Sequence, residues 1–228
     1  MGVIDFHAHI LPGADHGSHS VNTSLVQLDI AKKHGIDRIV ATPHFYPHRH
    51  DIEDFLMRRN LAVSRLVPHL DESSPRVAVG AEVMLCVGLE RFPRLSELTI
   101  GSSNILLIEP PMNDFSEEYI NTVIVLKEEG YDLILAHADR YAPLTVERFI
   151  SEGVLLQLNA ISVLTLVKKR AVYDWIRRGL VVAIGSDIHG SDKRAYRELD
   201  KAKRRLGIDY DKISERAEAL WSKFEFIN

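Results

Sequence analysis

Short apolar runs that alternate with helix-like segments are the feature that most constrains how this chain can fold. Seven such runs occur, and each is apolar through its middle. This pattern is typical of strands in a parallel sheet that is buried on both faces, and the alternation predicts an α/β protein. The predicted strands are Val3 to Phe6, Arg38 to Thr42, Val77 to Ala81, Ile105 to Ile108, Leu133 to Ala136, Val154 to Leu158 and Val181 to Gly185.

The segments between the strands carry signals that start and stop helices. Several begin at serine or aspartate, which cap helix N-termini, and several end at a glycine, which permits the left-handed turn that stops a helix. Because no Pro/Gly/Ser-rich linker interrupts the alternation, we expect one domain over residues 1–228. The predicted helices are Ser20 to Gly35, Asp51 to Leu70, Ser116 to Glu129, Val146 to Glu152, Val163 to Arg178 and Asp192 to Leu206.

Composition argues against several classes of function. The net charge is −4 with histidine neutral, and charges of both signs are interspersed, which gives no basis for binding nucleic acid. Cys86 is the single cysteine, so an intramolecular disulfide is impossible. The first residues form neither a basic leader nor a long apolar stretch. We therefore expect a cytoplasmic protein without an integral membrane segment.

Histidines and carboxylates stand at the ends of most predicted strands. One such histidine is more often a structural residue than a ligand, but the C-terminal strand ends of a β/α barrel share one rim, where eight such residues would converge. Imidazoles and carboxylates suit manganese, iron and zinc, and their number exceeds what a single ion needs. The residues are His7, His9, His44, Glu82, Glu109, His137, Asp187 and His189.

Several spaced motifs resemble the polymerase-and-histidinol-phosphatase (PHP) superfamily. These are His7-Ala8-His9, Ala41-Thr42-Pro43-His44, Gly80-Ala81-Glu82, Ile108-Glu109, Ala136-His137-Ala138-Asp139-Arg140-Tyr141 and Ser186-Asp187-Ile188-His189. The stretch from His7 to Asp15 followed by Gly17, with Thr42-Pro43-His44 and His137-x-x-Arg140-Tyr141, is similar to the bacterial tyrosine-protein phosphatases of capsule and exopolysaccharide loci. The resemblance spans Val3 to about Arg194.

The resemblance implies a distorted seven-stranded β/α barrel with a centre of three divalent ions, usually manganese, with iron or zinc as alternatives. It places one ion on His7, His9, Glu82 and Asp187, and a second on Glu82, Glu109 and His137. The third would use His44 and His189.

The remaining ligand of the third ion is where this chain departs from the pattern. The family typically reads Pro-Gly-x-Asp-Asp-Gly, whereas this chain has His16 in place of the second aspartate. A nitrogen ligand at His16 would favour zinc or iron, Asp15 could take its place, or the third ion could be absent.

The resemblance also implies phosphotyrosine hydrolysis, with a metal-activated hydroxide attacking the phosphate and no covalent enzyme intermediate. The partner would be a phosphotyrosine protein, such as the autophosphorylated tail of a tyrosine kinase. It places phosphate-contacting arginines at Arg140 and Arg194, whose guanidinium groups match phosphate oxygens in shape and charge.

Other roles stay open at this stage. Asp15 and Asp5 would either orient a ligand imidazole or form a local turn. Phe45 and Tyr46 would either cap the barrel, which we favour, or contact the ring of a phosphotyrosine. A general acid is not assignable, and His48 and His50 are weak candidates. Cys86 lacks the Cys-x5-Arg loop of thiol-based tyrosine phosphatases, so we expect it to be a packing residue.

Two other functions compete with this reading. The chain could hydrolyse histidinol phosphate or another small phosphoester, as other members of the superfamily do. It could also be a noncatalytic metal-binding accessory domain, which predicts missing ligands. Only the substitution at His16 fits that prediction.

Overall fold

The computed structural model describes residues 2–112, 115–165 and 169–228. Strands and helices alternate along most of these residues, as predicted, although consecutive strands or consecutive helices occur in places. The elements are β1 (Val3–Ala8), α1 (Val21–Lys33), β2 (Ile36–Ala41), β3 (His44–Phe45), α2 (Ile52–Leu66), β4 (Arg76–Val79), β5 (Glu82–Met84), β6 (Ile105–Glu109), α3 (Glu117–Glu128), β7 (Asp132–Leu135), α4 (Pro143–Ser151), β8 (Leu155–Asn159), α5 (Ala160–Leu164), α6 (Lys169–Arg177), β9 (Val181–Gly185), α7 (Lys193–Leu206) and α8 (Ile208–Trp221).

All strand pairs in this part of the chain are parallel, which confirms the α/β prediction. The strands form a three-stranded sheet in the order β1-β2-β4 and a six-stranded sheet in the order β3-β5-β6-β7-β8-β9. Backbone hydrogen bonds also connect strand ends: the N–H of Thr42 donates to the Ala8 carbonyl at 3.0 Å, and that of Asp187 to the His7 carbonyl at 2.8 Å. Closure into a seven-stranded barrel stays a prediction.

The described residues contain nine strands rather than the seven predicted, because a short strand follows the second and the third predicted strand. β2 ends at Ala41 and β3 begins at His44, directly after Pro43, which has no N–H to donate to the ladder. The carbonyl of Pro43 accepts from the N–H of Glu82 at 3.1 Å, so pairing resumes directly after this residue. β4 ends at Val79, and β5 begins at Glu82 after Gly80 and Ala81.

Helix starts agree with the capping signals, and the helix ends differ in places. Ser20, Asp51 and Ser116 each accept a hydrogen bond from a backbone N–H in the first turn. α2 ends at Leu66 and continues as a 3-10 turn through Pro68, and α4 begins at Pro143 rather than Val146, because proline suits the first helical turn. The predicted helix from Val163 to Arg178 is two helices, with residues 166–168 outside the described part. α8 was not predicted.

Buried side chains lie on both faces of the strands. In β6, Leu106 and Ile108 belong to the larger core beneath the surrounding helices, while Ile105 and Leu107 belong to a second core that includes Trp221 and Phe224. The alternation shows why the strands read as continuous apolar runs. Every described helix is too short or too polar to cross a membrane.

Candidate metal centre

The strand-end residues converge as the sequence predicted. His7 lies in β1, His44 begins β3, Glu82 begins β5 and Glu109 ends β6. His9, His137, Asp187 and His189 follow the ends of β1, β7 and β9. Most of these side chains are buried, and His7, His9, Glu82 and His137 are fully buried. Charged or polar groups at this depth require partners or ions.

Donor atoms of four residues surround one point. The Nε2 atoms of His7 and His9 lie 3.1 Å apart, and Glu82 Oε2 lies 3.3 Å and 3.4 Å from them. Asp187 Oδ1 lies 3.8 Å from His7 Nε2 and 3.4 Å from His9 Nε2. Two donors on one ion are separated by roughly 3 to 3.5 Å when the metal–ligand bonds are about 2.1 Å. His7, His9 and Glu82 therefore fit one ion, with Asp187 at its margin.

A second set of donors shares Glu82. His137 Nε2 lies 2.6 Å from Glu82 Oε1 and 3.3 Å from Glu109 Oε1. His44 Nδ1 lies 2.8 Å from Glu82 Oε2 and 4.0 Å from Glu109 Oε2. Oε2 of Glu82 thus faces His7, His9 and His44, while Oε1 faces His137, an arrangement that suits a carboxylate bridging two ions.

A third set consists of imidazoles. His9, His44 and His189 each offer a ring nitrogen, and the three nitrogens lie within 4.8 Å of one another. The exposed His16 ring stacks against His44 at 4.9 Å and against His189 at 4.7 Å between ring centroids. His16 is therefore at the predicted third site, where its ring contacts two of the candidate ligands.

Unpartnered donor atoms show that this cluster fits metal ions. Among the described residues, three buried polar atoms of the cluster make no hydrogen bond: Glu109 Oε2, His137 Nδ1 and His189 Nε2. Each unpaired buried polar atom costs about 1–3 kcal/mol. Carboxylate and imidazole donors together suit divalent ions such as manganese, iron and zinc.

The electrostatics of the cluster favour cations. Burial raises the pKa of Glu82, but the charge of His7 and hydrogen bonds from His137 and His44 outweigh it and hold that pKa well below its ordinary value. Burial opposes protonation of His137, yet hydrogen bonds to Glu109 and Glu82 raise its pKa to about 9. In the metal-free fold, protons thus occupy imidazole nitrogens, and these nitrogens would have to lose their protons before they bind a metal ion.

Hydrogen bonds at Nδ1 fix the tautomer of two candidate ligand imidazoles. His9 Nδ1 lies 2.6 Å from the Asp15 carboxylate, and His7 Nδ1 lies 3.2 Å from the side-chain oxygen of Gln157. Both partners accept hydrogen bonds, so Nδ1 carries the proton and Nε2 is left as the ligand atom. Asp15 also accepts from the Gly17 N–H at 2.8 Å, so both roles considered for it in the sequence are present.

The support from Gln157 and Asn159 was missed in the sequence. Gln157 accepts from the His137 N–H at 2.6 Å, and Asn159 donates to Asp187 at 3.0 Å. Their spacing of two in the otherwise apolar β8 was the available signal, because alternate residues of a strand share a face. Asp5 acts on the backbone instead of an imidazole: it accepts from the N–H groups of His7 and Ser186.

Close backbone contacts position the ligands. A Cβ at Gly17 would lie 2.1 Å from His9 Cβ, and one at Gly185 would lie 2.6 Å from His7 Cβ, so only glycine fits at either position. His137 and Asp187 have left-handed backbones, with φ of 33° and 53°. Non-glycine residues adopt this conformation at a cost, and such strain concentrates at functional sites.

The two predicted phosphate ligands differ in their surroundings. Arg140 donates to the Asp187 carboxylate and is 41% exposed, so it lies at the edge of the cluster. Arg194 is 72% exposed at the start of α7, where it pairs with Asp192 at 3.1 Å. The structure brings Arg140 to the cluster, whereas the contacts of Arg194 are with its own helix start.

The aromatic residues that follow β2 lie partly in the core and partly beside the candidate metal centre. Phe45 is buried against Phe55, with 5.1 Å between ring centroids, and Tyr46 stacks on the candidate ligand His44 at 4.9 Å. His50 lies 6.0 Å from the Tyr46 ring. Cys86 is partly buried against the larger core, and burial raises its pKa, which disfavours a nucleophilic thiolate.

A family model described as capsular polysaccharide synthesis, CpsB/CapC, matches residues 3–218 of this chain. The chain belongs to the CpsB/CapC family. This confirms the resemblance seen in the sequence motifs.

Relatives of this CpsB/CapC member include named phosphatases. The tyrosine-protein phosphatase CpsB of Streptococcus pneumoniae is 26% identical over 207 residues, which cover 84% of this chain and 85% of that protein. A crystal structure of metal-dependent tyrosine phosphatases, YwqE from Bacillus subtilis and CpsB from Streptococcus pneumoniae, matches with a TM-score of 0.79 and 22% identity, covering 97% of this chain and 95% of the other.

The fold is also shared with a small-molecule phosphatase. The histidinol phosphate phosphatase of Lactococcus lactis, in complex with zinc, L-histidinol and phosphate, matches with a TM-score of 0.55 and 14% identity, covering 90% of this chain and 93% of the other. Both structural likenesses show the fold.

Proposed function

We propose that this CpsB/CapC member is a metal-dependent phosphatase that hydrolyses phosphotyrosine in proteins. One observation carries the proposal: imidazoles and carboxylates from six strand ends converge, and several of their buried donor atoms have no hydrogen-bond partner among the described residues. The named relatives, which are tyrosine-protein phosphatases, support the substrate. A noncatalytic accessory domain would be expected to lack several candidate metal ligands. This chain retains eight of them at the cluster, which argues against that role.

We assign three divalent ions to the cluster, with manganese the favoured metal. The first would be held by His7, His9, Glu82 and Asp187, the second by Glu82, Glu109 and His137, and the third by His44, His189 and His16. Bound ions would supply Lewis-acid activation of water and of the phosphoryl oxygens.

The chain's own side chains would position the substrate. Arg140 would bind the phosphoryl oxygens, after exchanging its bond to Asp187 for one to the phosphate. Arg194 would approach from α7, where a change of rotamer frees it from Asp192. Tyr46, half-buried on His44, offers a ring face against which the phosphotyrosine ring would pack.

The proposed partner is the autophosphorylated tail of a capsule or exopolysaccharide tyrosine kinase. Such a tail is a flexible segment that can bring a phosphotyrosine to a site at strand ends. The proposal places the reaction in the cytoplasm, where kinase tails are phosphorylated, and treats residues 1–228 as one domain with a closed seven-stranded barrel.

Substrate preference tests the function. The full chain is stripped with a chelator, reloaded with manganese, and assayed for phosphate release from a phosphotyrosine peptide, the matched phosphoserine peptide and histidinol phosphate. We expect hydrolysis only after reloading, with the highest kcat/KM for phosphotyrosine. A higher kcat/KM for histidinol phosphate would make the chain a small-molecule phosphatase instead.

The arginine roles give a second, separate prediction. Arg140→Gln and Arg194→Gln should each lower kcat/KM for the phosphotyrosine peptide by roughly tenfold to a hundredfold, because each removes a charge-assisted hydrogen bond to phosphate. Arg148→Gln and Arg197→Gln are matched controls, since Arg148 pairs with Glu117 and Arg197 is exposed on α7. If Arg194→Gln and Arg197→Gln were equally active, Arg194 would not be a phosphate-binding residue.

A further inference from the structure

Among the residues that the structure describes, no carboxylate pairs with Arg59, a buried arginine beside a cavity away from the candidate metal centre. The Arg59 cavity, as we call it, has a volume of about 560 Å³. It lies between α2, the 3-10 turns at Leu95–Leu98 and Ile100–Ser102, and the C-terminal segment. Residues that line it include Arg59, Asn60, Ser96, Thr99, Ser102 and Ser103.

The charge of Arg59 is not balanced by its contacts. Arg59 is only 8% exposed. Its Nη1 donates to the backbone carbonyls of Glu97 at 2.7 Å and Gly80 at 3.4 Å. Nε is buried and has no hydrogen-bond partner among the described residues. A buried cation bonded only to neutral carbonyls is expensive, and such groups are normally paired with an anion.

Neighbouring carboxylates do not supply that anion. Glu97 lines the cavity, but its carboxylate is bound to Arg94, with Oε1 2.5 Å from Nε and Oε2 3.0 Å from Nη2. Glu225 also lines the cavity and is exposed to solvent, which screens it. Burial lowers the pKa of Arg59 to about 10, and the attraction of Glu97 offsets this only in part.

The remaining lining suits a small oxyanion. The hydroxyls of Ser96, Ser102 and Ser103 can donate hydrogen bonds to an oxyanion, whereas that of Thr99 already donates to the Ser96 carbonyl at 2.7 Å. A guanidinium matches the geometry of two phosphate oxygens. The volume is ample for a phosphate group and its first waters. We propose that the Arg59 cavity is a binding site for a phosphate group, either as inorganic phosphate or as a small phosphomonoester, separate from the candidate metal centre.

Phosphate-dependent stability tests the site on the full chain, both as purified and after chelation. Inorganic phosphate and glycerol 3-phosphate are titrated while Tm is recorded, for wild type, Arg59→Met and the control Arg65→Met, which changes an exposed arginine of the same helix. A ligand that binds the folded state raises Tm with its concentration. We expect a saturable rise in wild type and Arg65→Met, and binding weaker by roughly tenfold or more in Arg59→Met.

The two probes identify the source of the phosphate group. Tighter binding of glycerol 3-phosphate indicates a phosphomonoester, and equal or tighter binding of inorganic phosphate indicates the free ion; either supports the site. An equal rise of Tm in Arg59→Met, or no saturable rise in wild type, overturns the proposal.

Hydrogen exchange of the wild type keeps the test decisive if Arg59→Met does not fold. Phosphate should protect amides in α2 and in residues 95–103. Protection confined to the strand ends around His9 and His137 would place the phosphate at the candidate metal centre and overturn the proposal.

Discussion

At the scale of single residues, the orientation of ligand imidazoles depends on partners that bind no ion themselves. Asp15 holds His9 through Nδ1, and hydrogen bonds from His9, Gly17 and His44 keep the pKa of Asp15 low despite its burial. A carboxylate in this position raises the basicity of the ligand nitrogen on the far side of the ring.

We therefore expect Asp15→Asn to weaken metal binding by roughly tenfold to a hundredfold, the usual effect of losing such a partner. Competition with a fluorescent chelator measures the affinity. Asp29→Asn is the matched control, because Asp29 is an exposed partner of Lys33 on α1. If the metal affinity of Asp15→Asn were unchanged, the role of Asp15 would be limited to forming the local turn.

Protonation of His137 predicts how metal loading depends on pH. Its pKa is raised from 6.5 to about 9 in the metal-free fold, so the folded state holds this proton between those values. Metal binding needs the neutral ring and must release the proton. Apparent metal affinity should therefore rise with pH and level off above about 9, and calorimetry in buffers of different ionisation enthalpy should show proton release at pH 7. Buffer-independent heats would contradict this.

The candidate ligands and their partner Asp15 were predictable from the sequence, and the supporting residues in β8 were not. A histidine or carboxylate at the end of an apolar run, such as Glu82 after Val77 to Ala81, can be recognised from the sequence. Gln157 could not be recognised in this way, because an amide inside a strand can face either core. Only the pairing of β7 with β8 brings it to His137.

At the scale of elements, an ion pair connects the C-terminal helix to the three-stranded sheet, in addition to the apolar packing of that helix. Arg38 of β2 binds Glu218 of α8 through two hydrogen bonds and lies 5.8 Å from the Trp221 ring. The hydrogen bonds from Arg38 lower the pKa of Glu218 below 4.5. A carboxyl with a lowered pKa adds stability above its unfolded pKa, and loses that contribution as pH falls through the folded value.

Glu218→Gln should therefore lower the free energy of unfolding by about 1 kcal/mol at pH 7, a small value because solvent reaches the pair. The difference from wild type should close as pH falls below 4.5. Urea unfolding at a series of pH values measures this, with Glu215→Gln, an exposed position of the same helix, as control. A constant difference at all pH values would rule out the ion pair as its cause.

α8 itself shows what sequence reading left out. Its buried residues Tyr210, Ile213, Ala217 and Trp221 have helical spacing, but Gly207 was read as the end of the last helix. The chain turns there with φ of 53° and begins a new helix at once. Likewise, β3 and β5 were not predicted, because strands of two and three residues are too short to show a pattern in the sequence.

At the scale of the whole molecule, the candidate centre exists because parallel strands end on a common side. His7 and His189 are 182 positions apart, yet the His9 N–H donates to the Ile188 carbonyl at 3.2 Å, which brings the first and last strand ends together. The sequence predicted this convergence from the β/α alternation. It could not predict which donors would share a point, because that depends on strand register and side-chain rotamers.

The most direct test of the central claim measures metal content and phosphotyrosine hydrolysis on the same samples as manganese is added back to stripped protein. His9→Asn removes a donor common to two of the donor sets, and His19→Asn changes an exposed histidine nearby. We predict that hydrolysis rises with bound metal in wild type and His19→Asn, and that His9→Asn loses both. Hydrolysis that persists in fully stripped protein, or full metal content without hydrolysis, would contradict the account.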